Sequence, residues 1–242
     1  MIQSLDVREG CASVVGENHA HMVRVLRMVV GDALLLVDEN GVEYAGTISQ
    51  VSRESASIAI ISSTPPAQRD TAFPRITICQ ALPKGDKIDL ILQKGTELGA
   101  YDFKLFGGRR SVAKIRGDQQ KGKLDRWNRI TREAARQCGR SDIPAVTWRA
   151  DADEASADAG HDLRLILWEG ERNCSLKGAL SGQEKTSSAI VAIGPEGGFD
   201  PREVQQFLDR GYQPVSLGNR ILRTETASIA ILAIMQYIWG EM

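Results

Sequence analysis

The fold can be read from SSAIVAIGPEGGFDPREVQQFL, residues 187–208. Its first half is a short, uninterrupted apolar run, which is typical of a strand buried on both faces of a parallel sheet. A glycine-rich turn follows, and Asp200 and Pro201 are the residue types expected at the cap and first position of a helix. The stretch therefore predicts a strand, a tight loop and a helix, the unit from which α/β domains are built.

The loop of this unit, residues 193–198, is rich in glycine and carries one acid. Its spacing matches neither the G-x-G-x-x-G pattern of dinucleotide-binding loops nor a P-loop. Glu196 also puts a carboxylate where a phosphate would sit, which disfavours an anionic ligand but tolerates a cationic or zwitterionic ligand with an adenine ring. A tight turn without any ligand is the alternative.

A second candidate loop lies downstream in SLGNRILRTETA, residues 216–227, between a short strand and the last helix. We expect Thr224 to cap that helix, with the charged residues Arg223 and Glu225 on either side. Two charged groups beside two glycine-containing loops suggest a functional site. A structural salt bridge is the alternative.

Residues 71–242 repeat this alternation of strands and helices. Two more apolar runs, RITICQAL and LRLILWE, predict strands, and SIAILAIMQYIW predicts a final helix. Two amphipathic helices are expected in DKIDLILQKGTELG and KLDRWNRITREAARQCG, each ending at a glycine. We therefore predict an α/β domain with a mostly parallel sheet, in which ADADEASADAG forms an exposed loop. The apolar faces of the two helices consist of Ile88, Ile91 and Leu92, and of Leu124, Trp127, Ile130 and Ala134.

Residues 1–70 have a different pattern, which indicates a small β-rich domain. Short β-branched runs occur in ALLLVD, VEYAGTISQV and ASIAIIS, and Asn40-Gly41 between the first two is typical of a tight hairpin. One helix capped by Asn18 is expected through HAHMVRVLRMV. The proline-containing STPPAQRDTAFP predicts an extended connector to the α/β domain. The apolar stripe expected on the helix consists of Met22, Val25 and Leu26.

Composition excludes several classes of protein. Hydrophobic residues make up 42% of the 242 residues, enough for real cores, and the formal net charge of -1 argues against a uniformly basic nucleic-acid binder. Because no apolar run approaches the length of a membrane span and MIQSLDVREG lacks the pattern of a signal peptide, we expect a soluble, cytoplasmic protein. The four cysteines and three histidines have no metal-ligand spacing, so we expect no metal and reduced cysteines.

Positive charge is concentrated in one segment. Residues 104–140 hold twelve lysines and arginines against Asp118, Asp125 and Glu133, a local balance of +9 in a protein whose net charge is -1. Such a focused surface favours a polyanion, and the phosphate backbone of RNA is the expected partner. A solvated helix face with ion pairs, such as Arg129 with Glu133, is the alternative.

Four motifs, in the order LQKGTELG, REAARQCGRSDIP, GPEGGF and LGNRILRTETA, resemble the ribosomal RNA uridine-N3 methyltransferase family within the SPOUT superfamily. HMVRVLR also fits that family, so the resemblance runs from about His21 to the C-terminus. It implies a PUA-like β-barrel RNA-binding domain over residues 1–70. Over residues 71–242 it implies a SPOUT α/β domain with a trefoil knot, which general rules of chain topology would not suggest. The family's usual Arg-Phe-rich first strand is not found in MIQSLDVREG.

The resemblance also implies a cofactor and partners. S-adenosylmethionine would be held in the knot, mainly by backbone groups of three loops. The substrate would be small-subunit (16S) ribosomal RNA, and the protein would be a homodimer in which the knot and last helix pack against the partner. The cofactor-binding residues that the resemblance implies are Leu167, Trp168, Glu169, Ile193, Gly194, Pro195, Glu196, Gly197, Gly198, Leu217, Gly218, Ile221, Leu222 and Arg223.

Methylation at N3 of uridine needs a base or an anion stabiliser, because N3 carries a proton and is a weak nucleophile until that proton leaves. We expect Arg223 to stabilise charge on the uracil oxygens, while Glu225 orients Arg223 or accepts the proton. Positioning of the methyl donor by the loops is another source of rate. The residues expected to grip the flanking RNA, with solvated surface charge as the alternative, are Arg24, Arg27, Lys94, Arg109 and Arg110.

Two other functions fit much of this evidence. A SPOUT enzyme that methylates a ribose 2′-hydroxyl would share the knot and a glycine loop with glutamate, although the β-rich N-terminal domain and LRTETA argue against it. A non-enzymatic RNA-binding module for ribosome assembly would use the basic helix and no cofactor.

Overall fold

A computed structural model divides the chain into two compact units, Met1–Asp70 and Thr71–Met242. Each unit contains its own sheet, antiparallel in the first and parallel in the second. The residues that the structure describes are 7–8, 10–38, 42–65, 73–115, 117–140, 142–157, 160–183 and 186–239.

The first unit is built around an antiparallel sheet of five strands. These are β1 (Val7–Arg8), β2 (Cys11–Val15), β3 (Ala33–Val37), β4 (Glu43–Val51) and β5 (Ser55–Thr64), in the order β1-β2-β5-β4-β3. The three predicted strands are confirmed as β3, β4 and β5, whereas β1 and β2 were not recognised. Alternate residues of β2, Ala12 and Val14, are buried and their neighbours are exposed, as expected when one face of a sheet covers a core. The predicted turn at Asn40-Gly41 lies outside the described residues.

One helix, α1 (Gly16–Ala20), follows β2 and continues as a π-helical turn over His21–Val25. The prediction of a helix here is confirmed, but its start is wrong, since Asn18 lies inside α1 and not at its cap.

The apolar stripe predicted for this helix is wrong at two of its three positions. Met22 is 4% exposed, but Val25 and Leu26 are 63% and 58% exposed. The π turn, in which the Leu26 amide donates to the His21 carbonyl, departs from the period of an α-helix and turns the later side chains away from the core. Arg27 then ends the turn with a φ of 54°, the left-handed region that side chains other than glycine rarely adopt.

The second unit contains a six-stranded sheet in which every described pair is parallel, so the predicted α/β class is confirmed. Its strands are β6 (Arg75–Ala81), β7 (Asp102–Phe106), β8 (Ala145–Arg149), β9 (Leu163–Leu167), β10 (Ser188–Ile193) and β11 (Gln213–Val215), in the order β11-β9-β10-β6-β7-β8. All six residues of β10 are buried, because helices cover both faces of the sheet. The trefoil knot stays a prediction.

Six helices accompany this sheet. They are α2 (Lys87–Glu97), α3 (Gly117–Cys138), α4 (Ala152–Ser156), α5 (Leu176–Leu180), α6 (Pro201–Asp209) and α7 (Thr224–Trp239). Core residues of α2, α3, α5 and α7 pack on one face of the sheet, and those of α4 and α6 pack on the other. Among the described residues, no helix has both the length and the apolar character needed to cross a membrane.

The two predicted amphipathic helices are confirmed as α2 and α3. Gly99 and Gly139 follow them with φ values of 84° and 77°, as expected for glycines that end helices. The predicted loop ADADEASADAG is partly wrong, because it contains α4, whose Ala152 and Ala155 are buried. The Asp151 side chain caps that helix by accepting from the amide of Glu154.

Candidate active site

The ends of β9, β10 and β11 meet at one edge of the parallel sheet. Register aligns Leu167 with both Ile193 and Val215, and it aligns Ile193 with Gln80 of β6. β6 and β10 are neighbours in the sheet, but the strands that follow them, β7 and β11, lie in opposite directions from this pair. The point between β6 and β10 is therefore a topological switch point. Open parallel sheets bind ligands outside such points, and all three predicted cofactor loops begin there.

A buried polar network fixes the glycine loop, residues 193–198, to the start of α7. The Thr224 hydroxyl donates to the Gly194 carbonyl at 2.7 Å and accepts from Gln80 Nε2 at 2.9 Å. The other end of the Gln80 amide accepts from the Ser228 hydroxyl at 2.6 Å. Thr224 is the first residue of α7, and its hydroxyl holds the glycine loop. The prediction that Thr224 precedes this helix as its cap is therefore wrong. Gln80, which is fully buried, was not recognised from sequence.

Glycine is required where this loop approaches the end of β9. Gly198 has a φ of 68°, and a Cβ atom placed on it would lie 2.3 Å from Glu169 Oε1. Two of the predicted cofactor loops, residues 167–169 and residues 193–198, are thus in direct contact. Trp168 packs beside them, with its ring against Gly170.

The Glu196 carboxylate is paired within the protein. It accepts from the Lys84 amide at 3.0 Å and from Lys87 Nζ at 2.8 Å. Burial would raise the pKa of Glu196, but the hydrogen bonds from Lys87 and from backbone amides outweigh it and hold that pKa below its usual value. The same hydrogen bond raises the pKa of Lys87. Glu196 therefore attracts a cationic ligand less strongly than its place in the sequence suggests, because Lys87 already offsets the negative charge of this carboxylate.

The two predicted catalytic residues lie beside this pair. Arg223 is exposed immediately before α7, and Glu225 is half-buried in the first turn of that helix. Among the described residues no ion pair joins them; instead Glu225 Oε2 lies 3.7 Å from Lys87 Nζ. Neither a structural Arg223–Glu225 bridge nor the orientation of Arg223 by Glu225 is thus supported. Lys87 was missed because nothing in KGDKID distinguishes it from the other charged residues there.

The third loop, residues 217–223, leaves its backbone open. Leu217 and Leu222 pack partly against the core, whereas Ile221 is 89% exposed. Within the described part of the chain, the amides of residues 219–222 donate to no protein acceptor. An open row of amides beside apolar side chains fits a ligand that is held by main-chain groups.

Two of the predicted RNA-binding arginines contact the glycine loop or the helix that follows it. The Arg110 guanidinium donates to the Gly197 carbonyl at 3.1 Å, and the Arg109 amide donates to Glu203 Oε1 at 2.8 Å. Glu203 is 1% exposed and also accepts from the Asp200 amide, so it ties the Arg109-Arg110 segment to the start of α6. Both arginines are exposed, so they can contact a ligand at this edge.

The remaining RNA-binding candidates lie elsewhere. Lys94 forms an ion pair with Glu97 inside α2, two turns or about 10 Å along the helix from Lys87, so the structure does not bring it to the loops. Arg24 and Arg27 belong to the first unit, where both are exposed.

Several basic residues of the segment 104–140 have partners in the structure that the sequence does not indicate. Arg140 forms an ion pair with Asp142 and donates to two carbonyls at the end of α2, which makes it a structural residue. Arg126 pairs with Asp89 of α2, and burial lowers the pKa of Lys104 in β7. Arg129 Nε lies 4.0 Å from Glu133 Oε1, the pair proposed from the sequence. Other exposed cations on α3 and the loop before it include Lys114, Lys121, Arg132 and Arg136.

Known proteins match both units. A family described as an RNA methyltransferase domain matches residues 71–236, and one described as an RNA methyltransferase PUA domain matches residues 16–61. Ribosomal RNA small subunit methyltransferase E of Bacillus subtilis is 34% identical over 232 residues, covering 93% of this chain and 89% of its own length. The protein of that name from Mycobacterium tuberculosis is 32% identical, covering 92% and 85%. The Neisseria gonorrhoeae protein of that name, solved bound to S-adenosyl methionine, has a TM-score of 0.83 at 28% identity, covering 100% and 98%.

Proposed function

This chain belongs to the RNA methyltransferase family that includes ribosomal RNA small subunit methyltransferase E, and we propose that it methylates N3 of a uridine in 16S ribosomal RNA. Its class is an S-adenosylmethionine-dependent ribosomal RNA methyltransferase, the activity named for its relatives. The observation that carries the finer proposal is the position of Glu225 and Arg223, an acid and a cation beside three loops that meet at one sheet edge.

The residues at that edge fit S-adenosylmethionine. The open amides of residues 219–222 and the apolar side chains around them suit a ligand that the protein holds by its main-chain groups. When bound, this cofactor supplies an electrophilic methyl group on a sulfonium sulfur. We propose that the loops orient it and exclude water. The residues proposed to hold it are Leu167, Trp168, Glu169, Ile193, Gly194, Pro195, Glu196, Gly197, Gly198, Leu217, Gly218, Ile221, Leu222 and Arg223.

Glu225 is the proposed proton acceptor. Its Oε2 atom makes no hydrogen bond to the described residues and the side chain is 13% exposed, so we propose that this carboxylate accepts the proton on N3 of uracil. Loss of that proton puts negative charge on the two uracil oxygens. Arg223, exposed at the edge of the same site, is the proposed group that stabilises this charge. General acid–base catalysis of this kind contributes roughly 10²–10⁴-fold in rate.

Recognition of the RNA is assigned to basic residues of both units. Arg109 and Arg110 are the best placed, because Arg110 donates to the glycine loop, Glu203 of α6 holds Arg109 next to it, and both remain exposed. The target uridine must leave its stack to reach the site. The other residues proposed to grip the RNA are Arg24, Arg27 and Lys94.

We further propose a cytoplasmic homodimer. The late part of α7 exposes a large apolar surface, with Ile234, Tyr237 and Ile238 at 40%, 74% and 44% exposure. Exposed apolar patches of this kind mark protein interfaces, and a second copy of the chain would cover it.

The decisive experiment compares the wild-type protein with Arg223→Ala in single-turnover methylation of 16S ribosomal RNA. We expect N3-methyluridine from the wild type by nucleoside mass spectrometry, and a loss of at least tenfold in the rate of the variant at saturating cofactor. Arg202→Ala, at an exposed position of α6, is the matched control. Ribose-methylated nucleosides would favour the 2′-hydroxyl enzyme. No calorimetric heat with S-adenosylmethionine up to millimolar concentration would favour the binding module.

A further inference from the structure

Lys87 joins three elements at the edge of the proposed site. It is the first residue of α2, and its Nζ atom lies 2.8 Å from Glu196 Oε1 in the glycine loop and 3.7 Å from Glu225 Oε2 in α7. The three side chains are 34%, 30% and 13% exposed, so solvent screens them only in part. One lysine therefore stands between two carboxylates, one of which is the proposed proton acceptor.

The two carboxylates depend on Lys87 to different degrees. Glu196 has a second donor in the Lys84 amide, whereas Glu225 Oε2 has no hydrogen bond to the described residues. Within the described part of the chain, Lys87 is the one cation at ion-pair distance from Glu225. Because solvent screens these groups only in part, the charge of Lys87 acts on both carboxylates at the edge of the proposed site.

We propose that Lys87 is a positioning residue for methyl transfer, which holds Glu225 beside the loops and offsets Glu196 so that Glu225 stays ionised and can accept a proton. This inference rests on the proposed function. As the bond between N3 and the methyl carbon forms, the bond from that carbon to the sulfonium sulfur breaks and its electron pair stays on sulfur. The proton of N3 passes to Glu225 Oε2, so charge and atoms balance.

The electrostatics of the cluster give the direction of the effect. The charged groups that act on Lys87 are Glu196 from the glycine loop, Glu225 from α7 and Arg223 immediately before it. The pKa of Lys87 is raised, first by its hydrogen bond to Glu196, so Lys87 is a cation throughout the range in which enzymes are assayed. Without Lys87, the carboxylates of Glu196 and Glu225 would lose the cation that stands between them, and their negative charges would repel one another without compensation.

The test measures single-turnover methylation against pH in Lys87→Met, which keeps the length of the side chain and removes its charge. We expect the acidic limb of the profile to be displaced upward by about one pH unit, so that on this limb the rate of the variant is about tenfold lower than that of the wild type. Lys87→Arg should keep the limb of the wild type. The double variant Lys87→Met/Glu196→Gln should recover part of the displacement, because it removes the charge that Lys87 offsets.

Controls separate this role from a structural one. Lys84→Met alters a neighbouring lysine whose backbone, and not its side chain, contacts Glu196, and it should leave the profile unchanged. Calorimetry should give cofactor affinities within about twofold of the wild type in Lys87→Met, Lys87→Arg and Lys84→Met. The double variant, which alters a residue proposed to hold the cofactor, is assayed at saturating cofactor, and thermal unfolding checks that each variant is folded. A uniform loss of rate in Lys87→Met with an unshifted limb, or a double variant without recovery, overturns the inference. If the wild type forms no N3-methyluridine, the proposed function fails first and this inference fails with it.

Discussion

Replacement of Gly198 by alanine tests whether the contact between the first two loops builds the cofactor site. The left-handed φ of 68° costs a residue with a Cβ about 1–2 kcal/mol. The new Cβ would also lie 2.3 Å from Glu169 Oε1, where an ordinary contact needs about 3.3 Å, so the carboxylate must retreat by about 1 Å. Glu169 is exposed and its carboxylate is the end of a flexible side chain, so it can move aside without unfolding the protein. That movement takes away from its place a residue proposed to hold the cofactor.

The matched control is Gly139→Ala. Gly139 has nearly the same φ, 77°, but a Cβ there meets no described atom within 4 Å, and it ends α3, a helix that carries none of the three loops. Urea unfolding should show both variants destabilised by similar amounts. Calorimetry should show a cofactor affinity about tenfold weaker, or about 1.4 kcal/mol, in Gly198→Ala alone. Wild-type affinity in Gly198→Ala, or an equal loss in both variants, would refute the reasoning.

Three further predictions concern the second unit. Thr224→Val removes the hydroxyl between Gly194 and Gln80 and should lower the free energy of unfolding by about 1–3 kcal/mol in urea, while the exposed Thr226→Val should change it by less than about 0.5 kcal/mol. Burial raises the pKa of Cys79 to about 12, so its thiol should resist iodoacetamide in native protein while the exposed Cys11 and Cys138 react, as read by mass spectrometry. Burial, with Lys104 and two arginines nearby, lowers the pKa of His161 to about 4. Between about pH 6.5 and 4 the imidazole of His161 is protonated in the unfolded chain but not in the folded one, so the free energy of unfolding falls as the pH falls through this window. Urea unfolding of His161→Gln should show a smaller fall in this free energy than that of the wild type.

Sequence predicted the elements whose signals are local. The apolar run before Gly194 and the Asp200-Pro201 pair specify β10 and the start of α6, because burial on both faces and capping chemistry act within a few residues. In the structure Asp200 forms a full capping box with Glu203. The α/β class followed from such units repeated along the chain.

Features that depend on contacts between residues far apart in the chain could not be predicted from the sequence. The pairing of Lys87 with Glu196 spans 109 residues, and nothing in either segment marks the other as its partner. The exposure of Val25 and Leu26 follows from a π turn, which has no pattern of its own in the sequence. α4 was taken for a loop because acidic, alanine-rich segments are typically solvated, yet its two alanines are small enough to pack beneath α6.

We propose different tasks for the two sides of the glycine loop. On the side of β9, Gly198 lies so close to the Glu169 carboxylate that a Cβ atom at this position would displace it. On the side of β6 and β7, the loop meets Lys87 and Arg110, which are cations that neutralise or bridge its polar groups. On this proposal, one loop, held by hydrogen bonds from Gln80 and Thr224, has a face for the cofactor and a charged face for RNA. It follows that substitutions on the first face should change cofactor affinity, whereas those on the second should change the rate and its dependence on pH and salt.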